Sequence, residues 1–238
     1  MVDMIDERRD GAVAWLTFDR PENLNAFGGA GYQELRVALQ SLARDDGVRA
    51  VVITGNGRAF SAGADRSLLD AATPDTVRQH AGEEFLRLLD VLGSFEKPLL
   101  AAVNGVAVGF GCTLLLYCDL VLIAETARLR FPFTALGIVP EAGSSALLPT
   151  RMRWADAMWA MLSSEWLDAA AAYRTGLAWR AVPDGELLQQ ASSAAALIST
   201  HDAHAVAATK RLMTSGRRDA AVDAINRELA EMQALRRP

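Results

Sequence analysis

Residues 48–55, VRAVVITG, form a near-continuous apolar, β-branched run. A strand of that composition is buried on both faces, so the chain must supply layers above and below it. AVAWLTF (12–18) is a second short strand pattern, stopped by Asp19-Arg20-Pro21. From Gly31 the spacing turns helical, with Leu35, Ala38, Leu39 and Leu42 on one stripe. The glycine-containing GNGRAFSAGAD follows 48–55, and a helical stretch then runs to about Phe95 with Phe85, Leu88, Leu89 and Leu92 on its stripe. KPLLAAVNG (97–105) reads as a buried strand opened by a proline, GFGCTLLLYCD (109–119) as a buried helix and LVLIAE (120–125) as the next strand. Strands alternating with helices predict an α/β core. Beyond Pro149 the chain is alanine-rich and expected to be almost wholly helical, including 186–199 and 219–235. Its 238 residues fit a core over 1–185 with a helical C-terminal region over 186–238.

Half of the residues are hydrophobic (51%) and 22% are charged, which suits a protein that buries a sizeable core. The net charge is −5 and no long run of one sign occurs, so nucleic-acid binding is not expected. An anionic ligand must then be met by local basic groups or by backbone amides. Cys112 and Cys118 are the only cysteines, too few for a disulfide scaffold or a four-ligand zinc site, and they read as buried thiols. His201 and His204 have helical spacing but no evident third ligand, so no metal site is expected. MVDMIDERRDG lacks an apolar signal core, and the apolar run 98–124 is broken by Asn104, three glycines and Asp119, which argues against a membrane span. The expectation is a cytoplasmic protein. Leu235-Arg236-Arg237-Pro238 is no S-K-L-type address, so a peroxisomal location is not expected.

Two glycine-containing loops follow buried strands and lead toward helices, where unpaired N–H groups and the helix dipole favour negative charge. The first offers Ala62-Gly63-Ala64-Asp65 and the second Gly109-Phe110-Gly111. A nucleotide-phosphate loop is a rival reading, although neither loop spells G-x-x-x-x-G-K-[ST] or G-x-G-x-x-G. Glycines that serve only tight turns are another. In IVPEAGSS (138–145), Glu141 follows a proline and sits against small residues with no obvious cation. It reads either as a proton-transfer group or as a solvated loop acid near a helix N-terminus. Ser144 and Ser145 lack a G-x-S-x-G elbow, so neither is expected to be a nucleophile.

RPENLNAF, RAVVITGNGRAFSAGAD, VNGVAVGFGCTLLLYCDL and GIVPEAGSSALLP occur in the order and at the spacings of the crotonase (enoyl-CoA hydratase/isomerase) superfamily, which the chain resembles from about residue 11 to about residue 215. The resemblance implies a crotonase-like spiral of ββα units, a helical C-terminal trimerisation region and an acyl-CoA site. Its oxyanion hole would be the N–H groups of Ala64 and Phe110, and losing one such donor costs roughly 3 kcal/mol. Ala26, Ala62, Gly63, Asp65, Arg66, Gly109, Thr113 and Phe133 would line the substrate. No cofactor is implied, because coenzyme A arrives as part of the substrate. A homotrimer or a dimer of trimers is implied, with Trp154, Met158, Trp159 and Met161 as apolar surface candidates.

Hydratases of this superfamily carry two water-activating glutamates, and the matching places here hold Thr113 and Phe133. In the peroxisomal-type Δ3,Δ2-enoyl-CoA isomerase branch the single catalytic glutamate sits in an S-P-E-G-C-S-S-like turn, which VPEAGSS resembles at Pro140, Glu141, Ser144 and Ser145. Phe110 and Thr113-Leu114-Leu115 are similar to that branch as well. The resemblance therefore implies an isomerase in which Glu141 moves a proton from C2 to C4. The alternatives are a hydratase-type enzyme using another acid, and a non-catalytic acyl-CoA binder. Asp65 and Asp119 match positions of largely structural role, and His80 is expected at the pocket rim or in the core. Arg66 would meet a CoA phosphate or solvent, and Arg217-Arg218 and Arg236-Arg237 would suit a lid over the CoA phosphates.

Overall fold

The computed structural model describes residues 4–70 and 72–235. β1 (Ile5–Asp10) runs antiparallel to β2 (Val13–Phe18), and α1 (Gly29–Arg44) then crosses to β3 (Ala50–Gly55). β4 (Ala59–Ser61) leads toward α2 (Asp75–Ser94), followed by β5 (Leu99–Val103), β6 (Val106–Val108) and the short α3 (Phe110–Thr113). β7 (Leu120–Ala124) and β8 (Arg128–Arg130) complete the series. β1 and β2 both join a six-stranded sheet of order β1-β2-β3-β5-β7-β10, and from β3 onward one strand of each successive pair joins that sheet and the other a four-stranded sheet of order β4-β6-β8-β9. Each turn of chain thus adds one strand to both sheets, which is the spiral of ββα units that the motifs implied. Apart from the β1 edge, the large sheet is parallel, and its central strands are buried on both faces, as VRAVVITG required.

After β8 come α4 (Ser144–Leu147), α5 (Trp154–Ser163), β9 (Leu167–Asp168), α6 (Ala169–Thr175) and β10 (Arg180–Val182), then α7 (Leu187–Ser199), α8 (Ala203–Thr214) and α9 (Arg217–Leu235). α7 covers β2, β3, β5 and β7 of the large sheet, while α9 packs on α4 and α2. Asp168 and Asp202 cap α6 and α8 by accepting from the Ala171 and Ala205 N–H groups. No helix among the described residues is long and apolar enough to cross a membrane.

Several expectations are corrected. The stretch 109–119 is one turn of α-helix continued as a 3-10 turn over 114–117, and β9 and β10 interrupt the helical C-terminal part. His201 lies before α8 and His204 within it, so the two do not share a helix, and both are exposed. Met161 packs partly buried against the core beside Ala157 and Ala160, so the exposed face of α5 holds Leu162 instead. Arg236 and Arg237 lie outside the described residues. Arg218 is paired with Asp90, and Arg217 lines a narrow cleft with Tyr117, Asp119 and Lys210.

Candidate active site

The segment 24–27 lies alongside 62–65. Ala62 N–H donates to the Leu24 carbonyl, Phe27 N–H to Gly63 and Asp65 N–H to Phe27, which makes Phe27 and Ala64 a parallel bridge. Such a bridge uses the groups on either side of Ala64 and turns the Ala64 N–H away from the partner strand. Among the described residues that N–H has no acceptor, and Ala64 is exposed. Ala26 is buried beside this turn and held by a hydrogen bond to Asn23. Buried Asn25 ties the segment down by donating to Asn56 and Ala59 and accepting from Arg20 N–H.

The second turn approaches from β6. Gly109, at φ +53°, caps α3, so the Phe110 N–H opens the helix and finds no acceptor among the described residues. The two turns touch at Gly63. Its φ is +84°, and a Cβ there would stand 2.5 Å from the Val108 carbonyl oxygen and 3.2 Å from the Phe110 nitrogen. Only glycine fits that approach, and the fit brings two free N–H groups together. The Phe110 ring is fixed by edge contacts with Phe27, Tyr32 and Phe85 at 5.1–5.3 Å. Contacts of this kind contribute about 1 kcal/mol each beyond the area they bury.

Thr113 ends the single turn of α3 begun by Phe110, and its hydroxyl donates to Glu141 Oε1 at 2.7 Å. Glu141 is thereby tied to the helix that carries the second N–H. Burial pushes its pKa up to about 8, the Thr113 hydrogen bond pulls it down, and the negative charge of Glu228 raises it again. Asp65 serves elsewhere, since its carboxylate accepts from Ser67 N–H and caps the 66–69 turn. Arg66 is exposed at the start of that turn. Phe133 is buried in the core rather than open to solvent, and its carbonyl accepts from Leu136 and Ile138 N–H. Asp119 accepts from Leu99 N–H and pairs with Lys210, a structural role. His80 is exposed on α2, against Gly29 at the start of α1. Cys112 and Cys118 are buried, and burial raises both thiols, Cys118 to about 12. Among the described residues no group of three or more His, Cys, Asp or Glu is placed to hold a metal ion.

Three residues at the site escaped the sequence reading. Tyr32 is buried against Phe27, Phe85 and Phe110, and its phenol is raised by burial first and then by the charges of Glu141 and Asp65. Tyr117 donates to the Ala142 carbonyl at 2.8 Å. Glu228, on α9, accepts from the N–H groups of Gly143 and Ser145 and from the Ser145 hydroxyl. A signal for Glu228 existed: it continues the buried stripe Ala221, Ala224 of α9, where a carboxylate needs donors. Ala142 itself has φ +61°, a conformation that costs a non-glycine residue about 1 kcal/mol, and it lies directly after Glu141.

The profile of the enoyl-CoA hydratase/isomerase family matches residues 8–235. A probable enoyl-CoA hydratase of Rhodobacter capsulatus is 39% identical over 208 residues, covering 86% of this chain and 78% of that protein. An enoyl-CoA hydratase/isomerase from Pseudoalteromonas atlantica superposes with a TM-score of 0.89 at 33% identity, over 98% of this chain and 91% of the other. A monofunctional enoyl CoA isomerase from M. smegmatis superposes with a TM-score of 0.76 at 31% identity, over 90% and 94%. With two adjoining turns of free N–H groups and a spiral of ββα units, the chain belongs to the enoyl-CoA hydratase/isomerase family of the crotonase superfamily.

Proposed function

We propose that the protein is a Δ3,Δ2-enoyl-CoA isomerase with Glu141 as its single proton shuttle. One observation carries this reading: Glu141 is the carboxyl group tied to the helix that holds the second free N–H, and its partner there is the hydroxyl of Thr113 rather than a second acid. The thioester oxygen of a 3-enoyl-CoA accepts hydrogen bonds from the Ala64 and Phe110 N–H groups. The Glu141 carboxylate removes a proton from C2, the C–H electrons pass through C1 onto the thioester oxygen to give a dienolate (C1=C2, C3=C4) held by the two N–H groups, and protonated Glu141 returns the proton at C4 as the C1=O bond re-forms. The double bond ends between C2 and C3, and no water is consumed. With Thr113 and Phe133 where hydratases have acids, a second carboxylate to activate water is missing from those two places.

The likeness to the M. smegmatis isomerase supports this assignment, whereas the name of the Rhodobacter relative favours hydration of a 2-enoyl-CoA as the second reading. In the proposed reading coenzyme A enters with the substrate and no further cofactor takes part. The protein works in the cytoplasm as a homotrimer or a dimer of trimers, with the site in the core 1–185 and subunit contacts from helical sequence after residue 150. Incubation with a 3-enoyl-CoA and, separately, with a 2-enoyl-CoA tests the chemistry. A 2-enoyl product from the first and no 3-hydroxyacyl product from the second is expected. A 3-hydroxyacyl product establishes the hydratase instead, and binding without turnover establishes an acyl-CoA binder. Glu141→Gln should still bind acyl-CoA and lose about a hundredfold or more of the isomerase rate.

A further inference from the structure

We propose that Glu228, on the last helix, is the positioning residue of this site, holding the strained turn after Glu141 so that the Glu141 carboxyl faces Thr113 and the two free N–H groups. The proposal rests on the reading of Glu141 as the proton shuttle, and its test is arranged to fail separately from that reading.

The turn has little of its own to hold it. Ala142 and Gly143 are consecutive left-handed residues at φ +61° and +67°, and such a conformation persists only where the surroundings over-determine it. Four contacts do so here. Glu228 Oε2 accepts from Gly143 N–H at 2.8 Å, and Oε1 accepts from Ser145 N–H at 2.9 Å and from Ser145 Oγ at 2.6 Å. Tyr117 holds the Ala142 carbonyl from the other side. Both oxygens of one buried carboxylate are thus spent on Gly143 and Ser145, in the segment that begins at Glu141. The backbone of α9 packs closely on the turn as well, since a Cβ at Gly143 would stand 2.9 Å from the Ala221 carbonyl oxygen.

Glu228 also acts through its charge, which favours the protonated form of Glu141. The other groups that face Glu141 are the Thr113 hydroxyl and the Cys112 thiol of α3, the Tyr117 phenol of the following 3-10 turn and the Tyr32 phenol of α1. Burial raises all three of those titratable groups, so they stay neutral where Glu141 titrates. Glu228 is therefore the charged neighbour whose removal should be felt at Glu141.

Glu228→Gln places an amide NH2 against one of the N–H donors and removes the charge. Ser145→Ala removes one of the three hydrogen bonds and leaves the charge. With a 3-enoyl-CoA as substrate, Glu228→Gln should lower kcat about tenfold or more while KM stays within about threefold, since misplacing a reacting group by about 1 Å can cost a hundredfold. The carboxyl 13C signal of Glu141, identified by its loss in Glu141→Gln, should titrate at lower pH in Glu228→Gln and at unchanged pH in Ser145→Ala. A purely structural glutamate would lower the melting temperature without moving that titration. A folded Glu228→Gln protein with wild-type kcat and an unmoved Glu141 titration overturns the proposal. If Glu228→Gln fails to fold, the Ser145→Ala protein decides, with a kcat reduced severalfold supporting the clamp and an unchanged kcat refuting it. If the wild type isomerises nothing, the functional reading falls, while the Glu141 titration still decides whether Glu228 governs that carboxyl.

Discussion

Thr113 and Glu141 lie 28 residues apart in sequence and are joined by a 2.7 Å hydrogen bond, donated by the threonine at the end of α3 to the carboxyl of the turn before α4. The donor belongs to the same single helical turn as Phe110, so the acid is tied to the turn that carries the second free N–H. The arrangement suits the proposed shuttle: one buried carboxyl whose hydrogen-bond partner is a neutral hydroxyl that does not compete for the proton.

The raised pKa of Glu141 has a defined sign. In the proposed isomerisation Glu141 must be ionised to act as the base, so kcat/KM should rise with pH and level off above about 8, the value to which burial pushes the free enzyme's carboxyl. Stability should run the other way. Between its ordinary value of 4.5 and about 8, Glu141 holds a proton in the folded chain that it releases in the unfolded one, so its contribution is fully present below 4.5 and is lost as pH rises through 8. Glu141→Gln cannot ionise. Its melting temperature relative to wild type should therefore improve from pH 6 to pH 9, and a constant difference between the two proteins would refute the buried titration.

Thr113→Val keeps the shape and removes the donor. The hydrogen bond favours the ionised carboxyl, so its loss should move the rising limb of kcat/KM to higher pH and lower the rate severalfold at pH 7. This shift is opposite in sense to the one expected for Glu228→Gln. Activity profiles of the two variants, measured side by side, separate the loss of a donor from the loss of a charge. A limb that stays in place in Thr113→Val shows that the threonine does not act on Glu141.

Gly63→Ala probes the contact between the two turns. The φ of +84° strains any L side chain, and the new Cβ would press on the Val108 carbonyl and the Phe110 nitrogen. A loss of about 2 kcal/mol or more in stability is expected, with acyl-CoA turnover falling further than folding explains, because the donors are forced apart. Gly82→Ala is the control, since its Cβ meets nothing within 4 Å inside α2, and alanine there should stabilise by up to about 1 kcal/mol. Urea melts and steady-state rates for both variants provide the check.

Where burial dominates, the structure was legible from residue type alone. VRAVVITG, LLAAV and LVLIA carry enough apolar bulk to specify strands covered on both faces, and the glycines of the two loops marked the turns that hold free N–H groups. Glu141 needed the resemblance as well, because a lone loop acid has no local signature. The misses share a cause: each depends on a partner distant in sequence. Met161 faces the core because of the direction in which α5 docks. Tyr32 enters the site only through rings contributed by three other elements, and Glu228 reaches its donors across 83 and 85 residues.

Assembly is the last expectation, and the surface of α5 supplies its motive. Trp154, Met158, Trp159 and Leu162 recur at spacings of four, one and three along one helix, and Trp154 and Trp159 are 67% and 59% exposed. Trp166 and Tyr173 add further exposed aromatic area in the segments that follow. Side chains of that size bury 150–250 Å² each, and an apolar stripe of this kind is left in water only at a cost that association removes. We therefore expect light scattering of the purified protein at micromolar concentration to give about three or six times the 25.6 kDa chain mass. Trp159→Glu should lower that mass, because it places a charge on the exposed apolar surface of α5. A wild-type mass of 25.6 kDa would refute the trimer, and a Trp159→Glu protein that stays fully assembled would move the interface away from α5.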